Sequence, residues 1–376
     1  MKKYKIAIIG CGKVAHLHAK AIGNLPNASL VAVWSRTTAT AEKFADEYGV
    51  KAYDDITAMI RENSVDLVII CNPHPYHKDV TLEAARAGAN ILVEKPLAST
   101  LADCDAMITV CREAGVRLGV VSQRRWYSPV QRMHQAIVDG KIGRPALGTV
   151  NMLGWRDKPY YDADPWRGTW DMEGGGVLVN QAPHQLDILL WMMGEVDEVY
   201  GIWRNLNHPY IEVEDTALAI VKFKNGAIAN IIVSNSQKPG IFGKVQVHGT
   251  NGASVGVQTD GGAMFVAGMT TVLEPPVNDL WTIPGEEHQL ERWIQEDSDL
   301  FEQIDPTIYY MERQIEEFLQ ALDENRDPLI NGETGRKTVE LFTAIYRSTR
   351  DNAPVKFPLK AETGDDMDGR IMTFAF

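Results

Sequence analysis

A glycine-rich turn near the start of the chain constrains the fold more than any other feature of the sequence. Gly10, Gly12 and Ala15 follow a short apolar run and open a helical stretch. Between a strand and a helix, the first glycine permits the tight turn, the second lets the backbone approach a pyrophosphate, and the alanine allows close packing of the helix. Backbone N–H groups at the start of the helix then bind the phosphates. The pattern therefore predicts a dinucleotide-binding half.

Strand-like and helical stretches alternate through the first third of the chain. Short apolar runs predict strands over residues 4–9, 30–34, 65–71, 91–93 and 118–122. Helical stretches ending at glycines separate them. This alternation predicts a doubly wound parallel sheet, the Rossmann arrangement, for a first domain over residues 1–122.

The pattern changes after Ser122. Alternating apolar and polar residues flank Asn225-Gly226 and Asn251-Gly252, which are residue pairs that favour hairpin turns. Amphipathic helices are predicted over 306–325 and 334–351. We therefore expect residues 123–376 to form a second, α+β domain with a large, mainly antiparallel open sheet.

Composition excludes several classes of function. The 376 residues carry 37 basic and 50 acidic side chains, so a net charge of −13 gives no overall attraction to nucleic acid or to a membrane surface. The apolar runs are too short to cross a bilayer. Four cysteines without a Cys-x-x-Cys pair, and an N-terminus without a signal-peptide pattern, lead us to expect reduced thiols and a cytoplasmic protein. A dinucleotide stays compatible with this charge, because backbone N–H groups would hold it.

The end of the second predicted strand bears on the choice of dinucleotide. A carboxylate there would bind a ribose 2′-hydroxyl, whereas an arginine could bind a 2′-phosphate. The residues present are Ser35 and Arg36. Arg36 either binds the phosphate or only covers the adenine face, so the sequence leaves NAD(H) and NADP(H) open.

Further motifs follow the glycine turn in order along the chain. They are Asn72-Pro73-His74-Pro75-Tyr76-His77, Ala87-Gly88-Ala89-Asn90-Ile91-Leu92-Val93-Glu94-Lys95-Pro96, Glu173-Gly174-Gly175-Gly176 with His184 downstream, and Asn331-Gly332-Glu333-Thr334-Gly335-Arg336-Lys337. Together they resemble the family of glucose–fructose oxidoreductase, inositol dehydrogenase and the MocA rhizopine-catabolism protein. The resemblance covers nearly the whole chain and implies a second domain that binds substrate and mediates oligomerisation.

The resemblance implies chemistry for two side chains. Lys95 would contact the nicotinamide ribose and the reacting hydroxyl, and would stabilise developing negative charge. His184 would accept the hydroxyl proton, since imidazole titrates near neutral pH. The family usually has Asp where this chain has Asn180, and an amide can orient a hydroxyl without carrying charge. Two roles are open for Asp187: it could orient His184 or form a salt bridge in the core.

The remaining candidates complete the expected site. Substrate would be bound by Asn180, Arg156, Tyr161, Lys95 and His184. The cofactor would be bound by Gly10, Gly12, Lys13, Val14, Ala15, Ser35, Arg36, Cys71, Asn72, Pro73, His77, Glu94, Lys95, Gln123, Trp166 and Arg167. His74 and His77 are three residues apart, but no third ligand with suitable spacing follows, so we expect no metal.

The expected function is hydride transfer between a nicotinamide and a ring hydroxyl or ketone of a sugar, glycoside or cyclitol. Two alternatives stay open: transient oxidation with elimination of a glycosidic group, and nucleotide-dependent sensing without chemistry. The expected partner is a second copy of the chain, in a homodimer or homotetramer formed through the C-terminal sheet. The apolar tail over 367–376 could also dock on a neighbour.

Overall fold

The computed structural model describes residues 2–259, 274–364, 366 and 368–372, and the chain divides into two compact units. The first comprises Met1–Gln123 and Asp305–Arg336, and the second comprises Arg124–Ile304 and Lys337–Phe376. The first boundary lies one residue after the predicted end of the Rossmann domain. Residues 305–336, which the sequence analysis assigned to the second domain, instead group with the first. Half of the tail over 367–376 lies outside the described residues.

The first unit contains a six-stranded parallel sheet in the order β3-β2-β1-β4-β5-β6. Its strands are β1 Tyr4–Ile9, β2 Ala28–Trp34, β3 Lys51–Tyr53, β4 Leu67–Ile70, β5 Asn90–Val93 and β6 Leu118–Val120. β4 is apolar and buried along its whole length, as expected for a central parallel strand. The doubly wound parallel sheet is confirmed, although the edge strand β3 has only three residues and was not predicted.

Helices connect these strands. They are α1 Lys13–Asn24, α2 Thr38–Tyr48, α3 Ile56–Asn63, α4 His77–Arg86 and α5 Leu101–Ala114. Side-chain oxygens of Asp55 and Thr100 cap α3 and α5 by accepting backbone N–H groups. Gly49 and Gly115 end α2 and α5 in the left-handed conformation that glycine adopts without strain.

A helix from late in the chain completes the core of the first unit. This helix, α10 (Pro306–Asp323), contributes Ile315 and Phe318 to the apolar cluster that also contains Ile22 of α1. Its Gln314 accepts the backbone N–H of Ser122 at 2.9 Å and donates to the carbonyl oxygen of Val120 at 2.7 Å. This burial and pairing explain why residues 305–336 group with the first unit.

The second unit contains an eight-stranded sheet in the order β13-β12-β11-β7-β10-β9-β8-β14. Its strands are β7 Pro145–Trp155, β8 Val196–Arg204, β9 Thr216–Phe223, β10 Ile228–Ser234, β11 Ser236–Gly249, β12 Ser254–Gln258, β13 Val277–Trp281 and β14 Val355–Lys356. All neighbouring strands are antiparallel except β7 and β10. The large, mainly antiparallel sheet is thus confirmed.

Helices pack on one face of this sheet. They are α6 Ser128–Val138, α8 Pro183–Met193, α9 Gln289–Gln303 and α11 Gly332–Asp351, whose first turn belongs to the first unit; the short helix α7 Lys158–Asp162 lies in the loop after β7. Gly148 of β7 lies against Leu189 of α8, and Gly201 of β8 lies against Ile345 of α11. The other face carries exposed apolar side chains. In the described ranges, no helix combines the length and the apolar character that crossing a membrane requires.

Candidate active site

The glycine turn after β1 has the geometry that its sequence predicts. Gly10 has a φ of +92°, and a Cβ at this residue would lie 2.6 Å from the backbone nitrogen of Asn72. A Cβ at Gly12 would meet no described atom within 4 Å. Lys13 and Val14 begin α1, and Ala15 is fully buried against the sheet. Gly10 is therefore required by packing, whereas Gly12 leaves open space beside the helix N-terminus.

Buried acceptors at the same edge of the sheet fit a bound dinucleotide. Asn72, just beyond β4, and Gln123, just beyond β6, each have a buried side-chain oxygen for which the described part of the chain supplies no hydrogen-bond donor. Buried polar atoms rarely stay unpaired in a native protein. The carboxyl ends of parallel strands form the ligand crevice of such sheets. The open space at Gly12 and these two acceptors therefore suit a nicotinamide dinucleotide.

Ser35 and Arg36 follow β2, where the adenosine ribose is expected. Arg36 is exposed, and its guanidinium carbon lies 5.1 Å from the centre of the Tyr76 ring. Cys71 and Pro73 are half-buried on either side of Asn72. Arg36 therefore lies at the crevice. Its position is compatible with both roles expected from the sequence, which are binding a 2′-phosphate and covering the adenine face.

Lys95 follows β5 and is held through its neighbour Glu94. One oxygen of Glu94 lies 2.8 Å from Nε2 of His18, a buried residue of α1, and the other accepts the backbone N–H of Lys95 at 3.2 Å. Burial alone would raise the pKa of Glu94, but His18 and the nearby Lys95 hold it below its ordinary value. The carboxylate thus ties α1 to the turn that carries the lysine.

His77 is expected to contact the cofactor, and the structure places its ring in the interior of the first unit. Its ring is 1% exposed, with Nε2 2.8 Å from the carbonyl oxygen of Asn72 and Nδ1 3.1 Å from the carbonyl oxygens of Pro96 and Leu97. Burial lowers its pKa. His77 therefore joins the turn after β4 to the turn after β5, and its direct contact with a cofactor stays a prediction. Among the described residues, no three potential metal ligands lie together.

In the second unit, the glycine run before His184 packs around a buried carboxylate. Glu214 accepts the backbone N–H groups of Gly176 and Leu178 at 2.8 and 2.9 Å, and the hydroxyl of Tyr346 at 2.9 Å. A Cβ at Gly175 would overlap Tyr346, and one at Gly176 would overlap the backbone of Glu214. Burial raises the pKa of Glu214 to about 7. The glycines are therefore required by this close packing.

His184 follows a local change in helix geometry. Residues Val177–Gln181 form a π-helical turn, and α8 begins at Pro183, so Asn180 and His184 do not share one regular α-helix. Such turns are frequent at functional sites. His184 is 7% exposed. Asp187 forms a bidentate ion pair with Arg125 at 2.6 and 2.7 Å, which is the salt bridge proposed as one of its two readings.

Asn180 lies in a polar cluster with residues of the loop after β7. Its Nδ2 is 2.5 Å from Oε1 of Glu173 and 3.2 Å from the hydroxyl of Tyr160. Arg167 donates to the same hydroxyl and lies between the rings of Tyr160 and Trp166. The cluster places Asn180 beside a carboxylate. The expected cofactor contacts of Trp166 and Arg167 stay predictions.

Arg156 and Tyr161 are both buried in the second unit. Their exposed fractions are 6% and 7%. The carbonyl oxygen of Arg156 lies 2.6 Å from Nε2 of His208, whose Nδ1 lies 2.7 Å from Asp215. Both ring nitrogens of His208 therefore have a partner within hydrogen-bond distance. This pairing anchors the start of the loop, and direct contact of Arg156 or Tyr161 with substrate stays a prediction.

Three buried side chains have contacts that the sequence did not predict: His18 in the first unit, and Glu173 and Glu214 in the second. His18 lies on the helix that follows the glycine turn, but its partner Glu94 is 76 residues away along the chain. Glu173 stands beside the glycine run, which marks it without revealing its partner. Glu214 is 38 residues from Gly176, and no local pattern indicates that contact.

Comparison with known proteins decides the family. Residues 4–122 match the model described as "Oxidoreductase family, NAD-binding Rossmann fold" (GFO_IDH_MocA), and residues 130–255 match the "GFO/IDH/MocA C-terminal domain". The scyllo-inositol 2-dehydrogenase (NAD(+)) of Bacillus subtilis is 30% identical over 66% of this chain and 72% of the relative. The chain belongs to the Gfo/Idh/MocA oxidoreductase family.

Other members of the Gfo/Idh/MocA family match along almost the full length. Myo-inositol 2-dehydrogenase of Thermotoga maritima is 26% identical over 94% of this chain and 98% of its own. The crystal structure of the WlbA dehydrogenase from Bordetella pertussis, in complex with NADH and UDP-GlcNAcA, has a TM-score of 0.83 and 28% identity, covering 96% of this chain and 99% of that one. The resemblance inferred from the motifs is thus confirmed, and with it the assignment as an oxidoreductase.

Proposed function

We propose that this Gfo/Idh/MocA protein is an NAD(H)-dependent dehydrogenase of a ring hydroxyl, or reductase of the matching ketone, in a sugar, glycoside or cyclitol. One observation carries the proposal. At the carboxyl edge of the first sheet, open space at Gly12, two buried acceptors without donors and the turn of Lys95 meet on adjacent strands. The relatives named for inositol oxidation support the substrate class.

The roles of the side chains follow from their chemistry. A bound nicotinamide supplies the hydride acceptor or donor. Lys95 donates a hydrogen bond to the substrate oxygen and stabilises negative charge on it. His184 takes the hydroxyl proton during oxidation and returns it during reduction. Asn180 orients the ring through a neighbouring hydroxyl.

Residues of the first unit hold the cofactor in this proposal. The backbone at Gly12, Lys13 and Val14 binds the pyrophosphate at the start of α1. Asn72 and Gln123 accept hydrogen bonds at the nicotinamide end. We assign Arg36 to the adenine face rather than to a 2′-phosphate, since it stacks on Tyr76, and we therefore propose NAD(H) over NADP(H).

The test is a panel of cyclitols, sugars and nucleotide sugars, assayed with NAD and NADP by the absorbance of the reduced nicotinamide. Lys95→Ala and His184→Ala should each lower kcat at least a hundredfold and leave the Kd for NAD within about threefold, because most of that affinity is assigned to the backbone at the start of α1. Exposed Lys141→Ala and His288→Ala serve as matched controls and should match the wild type.

Wild-type turnover by the His184 variant would overturn the assignment of the base. Release of an aglycone without net reduction of cofactor would select elimination chemistry instead. Cofactor binding without any reaction across the panel would favour a sensor.

We also propose that two copies associate through the exposed face of the second sheet. Six large apolar side chains on four adjacent strands are between 37% and 56% exposed there: Leu147, Tyr200, Ile202, Leu218, Ile220 and Ile228. They are cross-strand neighbours, with Tyr200 opposite Ile220 and Ile202 opposite Leu218. Contiguous apolar patches of this kind mark interaction surfaces.

A further inference from the structure

The carboxylate of Glu173 makes two different hydrogen bonds inside the second unit. The side chain is 1% exposed. Oε2 accepts the backbone N–H of Gly168 at 2.6 Å, and Oε1 lies 2.5 Å from Nδ2 of Asn180. An N–H donor facing an ionised carboxylate forms a charge-assisted hydrogen bond. Glu173 is therefore anchored to the backbone by one oxygen and directed at the Asn180 amide by the other.

This contact determines which way the Asn180 amide faces. The two ends of an amide have nearly the same shape, so hydrogen-bond partners decide its orientation. An ionised carboxylate only accepts hydrogen bonds, and hence the nitrogen must face Glu173. The acceptor Oδ1 is then at the opposite end of the group.

The contact also explains why this chain departs from the usual family residue at position 180. An Asp there would bring two carboxylates within hydrogen-bonding distance in a buried place. One of them would then have to take up a proton. Asn180 instead supplies the donor that Glu173 needs, so the two residues form a matched pair.

We propose that Glu173 is a positioning residue that sets which end of the Asn180 amide is presented to substrate. This inference rests on the proposed function, in which Asn180 contacts a substrate hydroxyl. With Glu173 ionised, Asn180 presents Oδ1 and accepts a hydrogen bond from the alcohol. When Glu173 is protonated, its acid hydroxyl donates to Oδ1 of Asn180, so the amide group turns over. Nδ2 then faces the substrate, and an N–H donor suits a carbonyl oxygen.

The surroundings of Glu173 place this change in an accessible pH range. Burial raises the pKa of Glu173 to about 7, against the opposing effects of the Gly168 N–H, Asn180 and Arg167. The other charged or titratable groups facing it are Glu214, Tyr160, Tyr161 and Tyr346. Arg370 donates to the carbonyl oxygen of the adjoining Gly174 at 2.9 Å. Protonation of Glu173 as the pH falls through about 7 should therefore raise the KM for the alcohol.

The test exchanges donor and acceptor between the two positions. In E173Q the oxygen of the new amide can keep the Gly168 bond while its nitrogen faces Asn180, so the Asn180 amide should turn over. We expect the KM for the best alcohol of the panel to rise at least tenfold, with a smaller change in kcat. N180D should be at least as impaired. The double variant E173Q/N180D restores a donor facing an acceptor and should return the KM to within about threefold of wild type.

A pH series separates positioning from a merely structural role. The wild-type KM should rise below pH 7 and the E173Q profile should be flat over the same range. The side-chain NH2 resonances of Asn180, observed by NMR without substrate, should shift with a midpoint near pH 7 in the wild type and not in E173Q. Thermal unfolding checks that all three variants fold.

Two outcomes would overturn the inference: a wild-type KM in E173Q, or a double variant no better than N180D alone. Either result, alongside inactive Lys95 and His184 variants, would refute the role of Glu173 and leave the proposed function standing. Full activity of the Lys95 and His184 variants would instead refute the proposed function, and the NMR titration would still test the contact.

Discussion

Gly10 and Gly12 belong to one motif, but their surroundings in the structure differ. Gly10 combines a positive φ with a close approach to the backbone of Asn72, so a side chain there would displace the turn after β4. Gly12 has neither constraint, because its missing side chain faces open space. The fold therefore requires the first glycine, whereas the second leaves the space in which we propose that the cofactor binds.

This difference predicts opposite phenotypes for two alanine substitutions. Gly10→Ala should lower the free energy of unfolding by about 1–3 kcal/mol, through backbone strain and overlap. Gly12→Ala should leave stability unchanged and raise the Kd for NAD at least tenfold, because the methyl group occupies the space of the pyrophosphate. Denaturant unfolding and calorimetric titration with NAD measure the two quantities.

Gly23→Ala in α1 is the matched control. Its Cβ would meet no described atom within 4 Å, and alanine favours a helix by about 0.5–1 kcal/mol. It should bind NAD normally and be slightly more stable. Normal NAD affinity in the Gly12 variant would contradict the assignment of that glycine.

Residues whose role is local could be predicted from the sequence, and residues whose role depends on a distant partner could not. The glycine turn, Lys95 and His184 stand in continuous motifs. Glu214 acts on Gly176 and Tyr346, residues far from it along the chain, and nothing in its own neighbourhood distinguishes it from a surface glutamate. Asp187 had two readings until its partner Arg125 was known.

At the scale of elements, the segment that joins β4 to α4 connects two turns of the crevice. The ring of His77 lies within hydrogen-bond distance of the carbonyl oxygen of Asn72 on one side and of those of Pro96 and Leu97 on the other. The turn with Lys95 is therefore positioned from two directions, by His77 and by Glu94. Loss of either contact should loosen the lysine.

His77→Ala should lower both stability and activity. Removing the ring leaves buried carbonyl oxygens without a donor, which costs about 1–3 kcal/mol. The loosened turn should reduce kcat at least tenfold, because Glu94 alone then positions the turn that carries Lys95. Urea denaturation and steady-state kinetics provide the two measurements.

The neighbouring Lys78→Ala is the control for this prediction. Its ammonium group lies 2.9 Å from Asp103 in an ion pair near the surface, and such pairs contribute little. It should behave as wild type. A His77 variant with wild-type kcat would show that the turn does not depend on the ring.

Element prediction succeeded where periodicity was long and failed where elements were short. The bounds of β1 agree with the strand predicted over 4–9, and those of α10 and α11 lie within two residues of the predicted helices. The edge strand β3 and the helix α3 were missed, because three strand residues and two helical turns give too little periodicity. The π-helical turn before α8 was also missed, since its geometry depends on Glu214 rather than on its own residues.

At the scale of the whole molecule, the exposed face of the second sheet predicts the oligomeric state. Ile220→Glu should raise the Kd for self-association at least tenfold, since it buries a charge in an apolar contact. Its side chain is 56% exposed, so the fold should tolerate the change. Analytical ultracentrifugation over a range of concentrations measures the shift.

Val138→Glu tests whether any exposed apolar residue has the same effect. Val138 is 65% exposed at the end of α6, away from the patch on the sheet. It should leave association unchanged. Equal behaviour of the two variants would refute the sheet as the interface.

The first unit consists of two segments of the chain that are synthesised at different times. Residues 1–123 leave the ribosome first, yet α10, which covers Ile22 and the rest of the apolar cluster on α1, lies beyond residue 305. At about 5–20 residues per second, that helix is made roughly 10–40 seconds later. The nascent Rossmann half must therefore wait with apolar surface uncovered, which makes it a natural client for chaperones until the last third of the protein has been translated.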